Sequence, residues 1–99
     1  MDKIDVLICY DVDTLTKEGR RRLRRVAQVC KNFGQRVQFS VFECRVSRVQ
    51  LESLEAKLME VINAEKDSLR VYTLLGGRDK CVQIYGIDRY QDFDEPMVV

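Results

Sequence analysis

Residues 36–46 alternate apolar and polar side chains in two phases that cannot belong to one regular strand. Val37, Phe39 and Val41 share the first phase; Phe42, Cys44 and Val46 continue one residue out of step. Side chains along a strand alternate faces with a period of two, so a one-residue slip would turn every later group to the other side. A bulge or a sharp bend between two short strands relieves the conflict. This single feature separates a three-stranded reading from a four-stranded one.

The remaining segments are easier to assign. Residues 4–12 form a nearly continuous apolar, β-branched run, the pattern of a strand central in a sheet or covered on both faces. Val12 to Lys17 reads as a polar loop, with Thr14 or Thr16 available as a helix cap. From about Lys17 to Phe33, Leu23, Val26, Ala27, Cys30 and Phe33 share one helical stripe, opposite Arg21, Arg24, Arg25 and Gln28, with Arg20 and Arg22 on its flanks. Gly34 is placed as the helix stop. Ser47-Arg48-Val49-Gln50 fits a capping box, and Leu51, Leu54, Leu58, Val61 and Ile62 continue as a helix to about Ala64. Residues 69–75 alternate again, Gly76-Gly77 breaks them, and Cys81 to Tyr85 reads as a short strand ended by Gly86.

Splitting the out-of-phase region gives βαββαβ, an α+β chain of ferredoxin-like arrangement with an extra C-terminal strand. That extra strand has no place within a four-stranded sheet, so an exposed edge, its own or a partner's, is its expected site. The expected division is a domain over residues 1–86 and an acidic tail over 87–99, which holds Asp88, Asp92, Asp94 and Glu95. A 99-residue chain buries a modest fraction of its surface, so a homodimer is expected on stability grounds.

Charge is asymmetric: residues 1–50 carry a net +5 and residues 51–99 a net −4, with five arginines between positions 20 and 25. Only Glu18 lies near that cluster in sequence, which leaves it underneutralised and suited to phosphate. Arg20, Arg21, Arg24 and Arg25 are the candidate phosphate contacts. Asp11 ends the first strand, where a carboxylate can hold a hard divalent cation or, alternatively, start a turn. Asp13 is either a second ligand or a loop cap. Histidine is absent, which excludes Ser-His and Cys-His nucleophilic sites, so a hydrolase here needs metal-activated water. The four cysteines show no paired spacing and sit in apolar patterns, as buried thiols do. No apolar run spans a bilayer and Met1-Asp2-Lys3 does not open a signal peptide, so the expected location is cytosolic.

Four segments in order carry a family resemblance: Tyr10-Asp11-Val12-Asp13, the arginine cluster, Gly34-Gln35-Arg36-Val37-Gln38-Phe39-Ser40-Val41-Phe42-Glu43, and Leu69-Arg70-Val71-Tyr72. Together, from about residue 4 to 86, they resemble the small CRISPR-associated protein family Cas-two. The resemblance implies a ferredoxin-like homodimer joined through its sheets, with C-terminal strands completing the partner's sheet. It implies a part in CRISPR adaptation, acting with the Cas-one integrase in spacer acquisition and holding DNA. It also implies a Mg²⁺-dependent endonuclease or endoribonuclease activity in several members, with the metal at the position of Asp11 and its dimer mate. Arg36 matches a family arginine and joins the nucleic-acid contacts; Phe42 matches a family aromatic near the site, against core packing as the other reading. A catalytically silent DNA-binding adaptor and a ferredoxin-like regulatory or metabolite-binding domain are the competing classes.

Overall fold

The computed structural model describes residues 2–91. The elements are β1 (Ile4–Asp11), α1 (Lys17–Lys31), β2 (Gly34–Gln38), β3 (Val41–Val46), α2 (Arg48–Val61), β4 (Ser68–Thr73) and a one-turn α3 (Arg78–Cys81). The four strands make one antiparallel sheet in the order β2-β3-β1-β4. Two βαβ halves interleave so that β1 and β3 occupy the centre, the ferredoxin-like topology expected from the sequence.

The phase slip is resolved as anticipated. The β2–β3 register shifts between Arg36 and Gln38, and residues 39 and 40 turn the chain back. Phe42 thereby lands opposite Ile8, and Cys44 opposite Val6, on the face covered by the helices. That face is the core: Val6, Ile8, Tyr10, Phe42, Cys44 and Val46 pack against Val26, Ala27 and Cys30 of α1 and Leu51, Leu54, Leu58 and Val61 of α2. Each large side chain buried there contributes roughly 1.5–3 kcal/mol.

Both helix starts follow their local signals. The Thr16 hydroxyl accepts from the Gly19 N–H at 3.0 Å, and Ser47 with Gln50 forms a complete reciprocal capping box, an arrangement contributing about 1 kcal/mol. The helix ends come earlier than the apolar stripes suggest, at Lys31 and Val61, because Phe33 and Ile62 lean on the core from the connecting turns. Gly34 is not a helix stop. It opens β2, where a Cβ would sit 2.4 Å from the Cys44 Sγ and 2.5 Å from the Glu43 carbonyl oxygen, so close approach of two strands demands glycine there.

The expected strand from Cys81 to Tyr85 does not form within the chain's own sheet. Gly76 and Gly77, at φ of 86° and 97°, turn the backbone into α3 instead. The Asp5 carboxylate accepts from the Arg78 N–H at 2.8 Å and holds that turn. The chain then runs back past Glu43, with Gln91 and Gln35 exchanging two hydrogen bonds. The last tail carboxylates, Asp92, Asp94 and Glu95, lie outside the described residues.

Candidate active site and nucleic-acid interface

Alternation along β1 sends Val6, Ile8 and Tyr10 into the core and leaves Leu7, Cys9 and Asp11 on the opposite sheet face. Neither α1 nor α2 covers that face; α3 and the segment after it lie over its Asp5–Glu43 end and leave the Asp11 end uncovered among the described residues. Asp11 sits at its end, opposite Ser68 of β4, and is exposed. Its carboxylate makes no hydrogen bond or ion pair among the described residues. An unpaired carboxylate at a strand end keeps its oxygens available to a cation. The described residues of one chain contain no group of three acidic, cysteine or histidine side chains able to hold a metal. One carboxylate per chain still suits Mg²⁺, which takes one or two carboxylates and keeps waters, provided a second chain supplies the other.

Asp13 belongs to the loop. Its Oδ1 accepts from the Leu15 N–H at 2.9 Å, an Asx turn, and its own N–H donates to Asp67 Oδ1 at 3.0 Å. Asp67 is the residue that sequence patterns missed. Its side chain is fully buried and also accepts from the Asn63 N–H at 2.8 Å and from Arg22 Nε and Nη2 at 2.9 and 3.3 Å. Burial alone would raise its pKa, but the hydrogen bonds from Arg22, Asn63 and Asp13 and the guanidinium charge outweigh it and hold the carboxyl below its ordinary value. Asp67 therefore ties the loop after Asp11, the start of β4 and the arginine helix together.

The arginine cluster divides by partner. Arg22 faces inward to Asp67, and Arg20 Nη1 donates to the Thr14 carbonyl at 3.2 Å. Arg21, Arg24 and Arg25 are exposed and make no ion pair or hydrogen bond among the described residues, so their charge stays unneutralised on the outer face of α1. Arg36 is exposed on β2, 5.2 Å over the Phe42 ring, with Nη2 donating to the Tyr10 hydroxyl at 3.4 Å. Tyr10 and Phe42 themselves stack at 6.3 Å and are core, which settles both against a role at the surface. In one chain these arginines lie on the helix side of the sheet and Asp11 on the other. Arg20 and Arg36 are tied toward the Asp11 end through the Thr14 carbonyl and the Tyr10 hydroxyl.

A second polar cluster lies under the C-terminal segment. Glu43 is 6% exposed, and Arg78 Nε donates to it at 2.9 Å while the Tyr90 ring stacks 3.6 Å from the same guanidinium. An acidic residue inside an apolar strand is itself the sequence signal that such a partner exists. The cysteines are all free: Cys30 and Cys44 are buried with thiols pushed up to about 12, chiefly by burial. Cys81 departs from the buried pattern and is exposed.

A ferredoxin-like sheet backed by α1 and α2 on one face, with a strand-end carboxylate unpaired among the described residues and an arginine-rich outer helix face, defines a small α+β protein. Comparison with known proteins makes this specific. The family described as CRISPR associated protein Cas2 matches residues 4–83, and the chain belongs to that family. It is 52% identical over 94 residues to the CRISPR-associated endoribonuclease Cas2 1 of Moorella thermoacetica, covering 95% of this chain and 98% of that one. It is 47% identical to the CRISPR-associated endonuclease Cas2 of Halalkalibacterium halodurans, covering 94% and 97%. A crystal structure of Streptococcus pyogenes Cas2 at pH 6.5 superposes with a TM-score of 0.74 at 43% identity, covering 83% of this chain and 99% of that one. Among the described residues, no helix is long and apolar enough to cross a membrane.

Proposed function

We propose that this chain is a CRISPR adaptation protein, a homodimer that binds nucleic acid, acts with the Cas-one integrase in spacer acquisition, and hydrolyses phosphodiesters at a Mg²⁺ site shared by two copies of Asp11. The observation that carries it is the exposed Asp11 carboxylate at the end of β1, unpaired among the described residues, at the end of the sheet face that neither α1, α2 nor α3 reaches. Leu7, Cys9, Val41 and Tyr72 lie on that face, half-buried or exposed, and support pairing of two sheets across it. Such pairing supplies the second carboxylate that one chain lacks. Mg²⁺ held there supplies charge stabilisation at a phosphodiester and a readily deprotonated water. The protein's own part is to place Asp11 through the Asp67-anchored loop and to hold phosphates on Arg20, Arg21, Arg24, Arg25 and Arg36. The relatives' names as endoribonuclease and endonuclease support hydrolysis and leave RNA and DNA both as substrates.

The purified protein incubated with single-stranded RNA and with duplex DNA, with and without Mg²⁺, tests this. Cleavage that needs Mg²⁺ and disappears in Asp11→Ala is expected. Cleavage that persists in the variant comes from another site or another protein and defeats the assignment. The single carboxylate per chain favours one second reading, a silent DNA-binding adaptor, which predicts salt-sensitive binding without cleavage.

A further inference from the structure

Phe39 is 89% exposed, although Phe42, three residues on in the same hairpin, is fully buried. It occupies the turn between β2 and β3, and that turn is fastened at two points to one residue. The Tyr10 hydroxyl donates to the Phe39 carbonyl at 3.3 Å, and the Tyr10 N–H donates to the Ser40 carbonyl at 3.1 Å. Tyr10 is buried and stacked on Phe42, so the anchor is part of the core. The ring therefore stands in solvent on a fixed backbone rather than on a loose loop.

Its surroundings say what it meets. Asp11 follows Tyr10 directly, which places the turn beside the strand end that carries the free carboxylate. Arg36 lies three residues earlier on β2, exposed and braced by Phe42 and Tyr10. Leu15, 88% exposed, stands on the loop that leaves Asp11. An exposed aromatic ring on a turn held by Tyr10, the residue whose hydroxyl also takes the Arg36 guanidinium, suits a nucleobase, because every base offers a π-face for stacking while its phosphate pairs with arginine. Bases inside a duplex are already stacked and cannot offer that face.

Resting on the nucleic-acid function proposed above, we propose that Phe39 is a stacking platform for an unpaired nucleobase and so gives this protein a preference for single-stranded or frayed nucleic acid at the Asp11 end. The full chain, its Phe39→Ala and Phe39→Trp variants, and the double variant Arg21→Glu/Arg24→Glu are titrated against a fluorescent single-stranded RNA and a blunt duplex in EDTA, where nothing is cleaved. Phe39→Ala is expected to weaken single-strand binding about tenfold and duplex binding less than about twofold, and Phe39→Trp to retain single-strand affinity. Unchanged single-strand affinity in Phe39→Ala, or an equal loss on both ligands, overturns the proposal. So does a fall in sedimenting mass in that variant, which would make the ring an interface between copies of the chain. If the arginine double variant leaves binding to both ligands intact, the nucleic-acid function itself fails. If it weakens binding and Phe39→Ala does not, only the stacking role is lost.

Discussion

The Arg22 guanidinium and the Asp67 carboxylate, 45 residues apart in sequence, meet at 2.9 Å with Asp67 fully buried. They join the helix that carries the arginines to the loop that leads into β4. The same carboxylate takes the Asp13 N–H, two residues beyond Asp11. The pair thus stabilises the fold beside the strand end that carries the exposed Asp11 carboxylate.

Asp67→Ala leaves the Asp13 and Asn63 N–H groups and Arg22 without their acceptor, at a cost of roughly 1–3 kcal/mol. The cost depends on pH. Asp67 has a native pKa below its ordinary value of 3.8, so its ionisation stabilises the fold above that value, and the contribution is lost as pH falls through the lower native one. Denaturant unfolding of wild type and variant is expected to show a clear gap at neutral pH that narrows below about pH 4.

Gly19→Ala reverses the usual helix rule. Alanine in a helix interior ordinarily stabilises by about 1 kcal/mol over glycine. Here a Cβ would sit 1.9 Å from the Asp13 carbonyl oxygen, a backbone atom. The loop must move, and thermal denaturation is expected to show net destabilisation together with weakened cleavage.

Arg21→Glu/Arg24→Glu and Arg22→Ala are expected to fail in different assays. The first pair removes two unneutralised cations and lowers the slope of log affinity against log salt by about 1.4 on single strands. Arg22 is occupied by Asp67, so its loss lowers the melting temperature and leaves the salt slope nearly unchanged.

Thiol labelling at pH 8 should find one fast cysteine. Cys81 is exposed, whereas Cys9 is half-buried with its thiol raised by burial, and Cys30 and Cys44, pushed up to about 12, carry almost no thiolate there. Cys81→Ser is expected to abolish the fast phase; fast labelling of Cys30 or Cys44 in the folded protein would contradict the packing.

The order of strands and helices was legible because it rests on local physics. The period of apolar residues, the Ser47 capping box and the slip at Arg36–Gln38 each act within a few residues. Asp11 stood out as a strand end, and Arg21 and Arg24 as an uncompensated face, for the same reason. The helix ends and the turn of α3 after Gly77 were not legible because Phe33, Ile62 and Arg78 answer to tertiary contacts rather than to their neighbours.

By itself, the sequence determined a ferredoxin-like chain with a carboxylate at one strand end and basic charge concentrated on one helix. Only the tertiary structure decided which charged groups remain available. It turned Arg22 inward, made Asp67 the anchor of the Asp11 loop, assigned Asp13 to a turn, and left Phe39 standing in solvent on a backbone held by Tyr10. The physical reason is that a side chain's availability depends on which distant groups satisfy it. Those groups come together only when chain segments tens of residues apart are packed against one core.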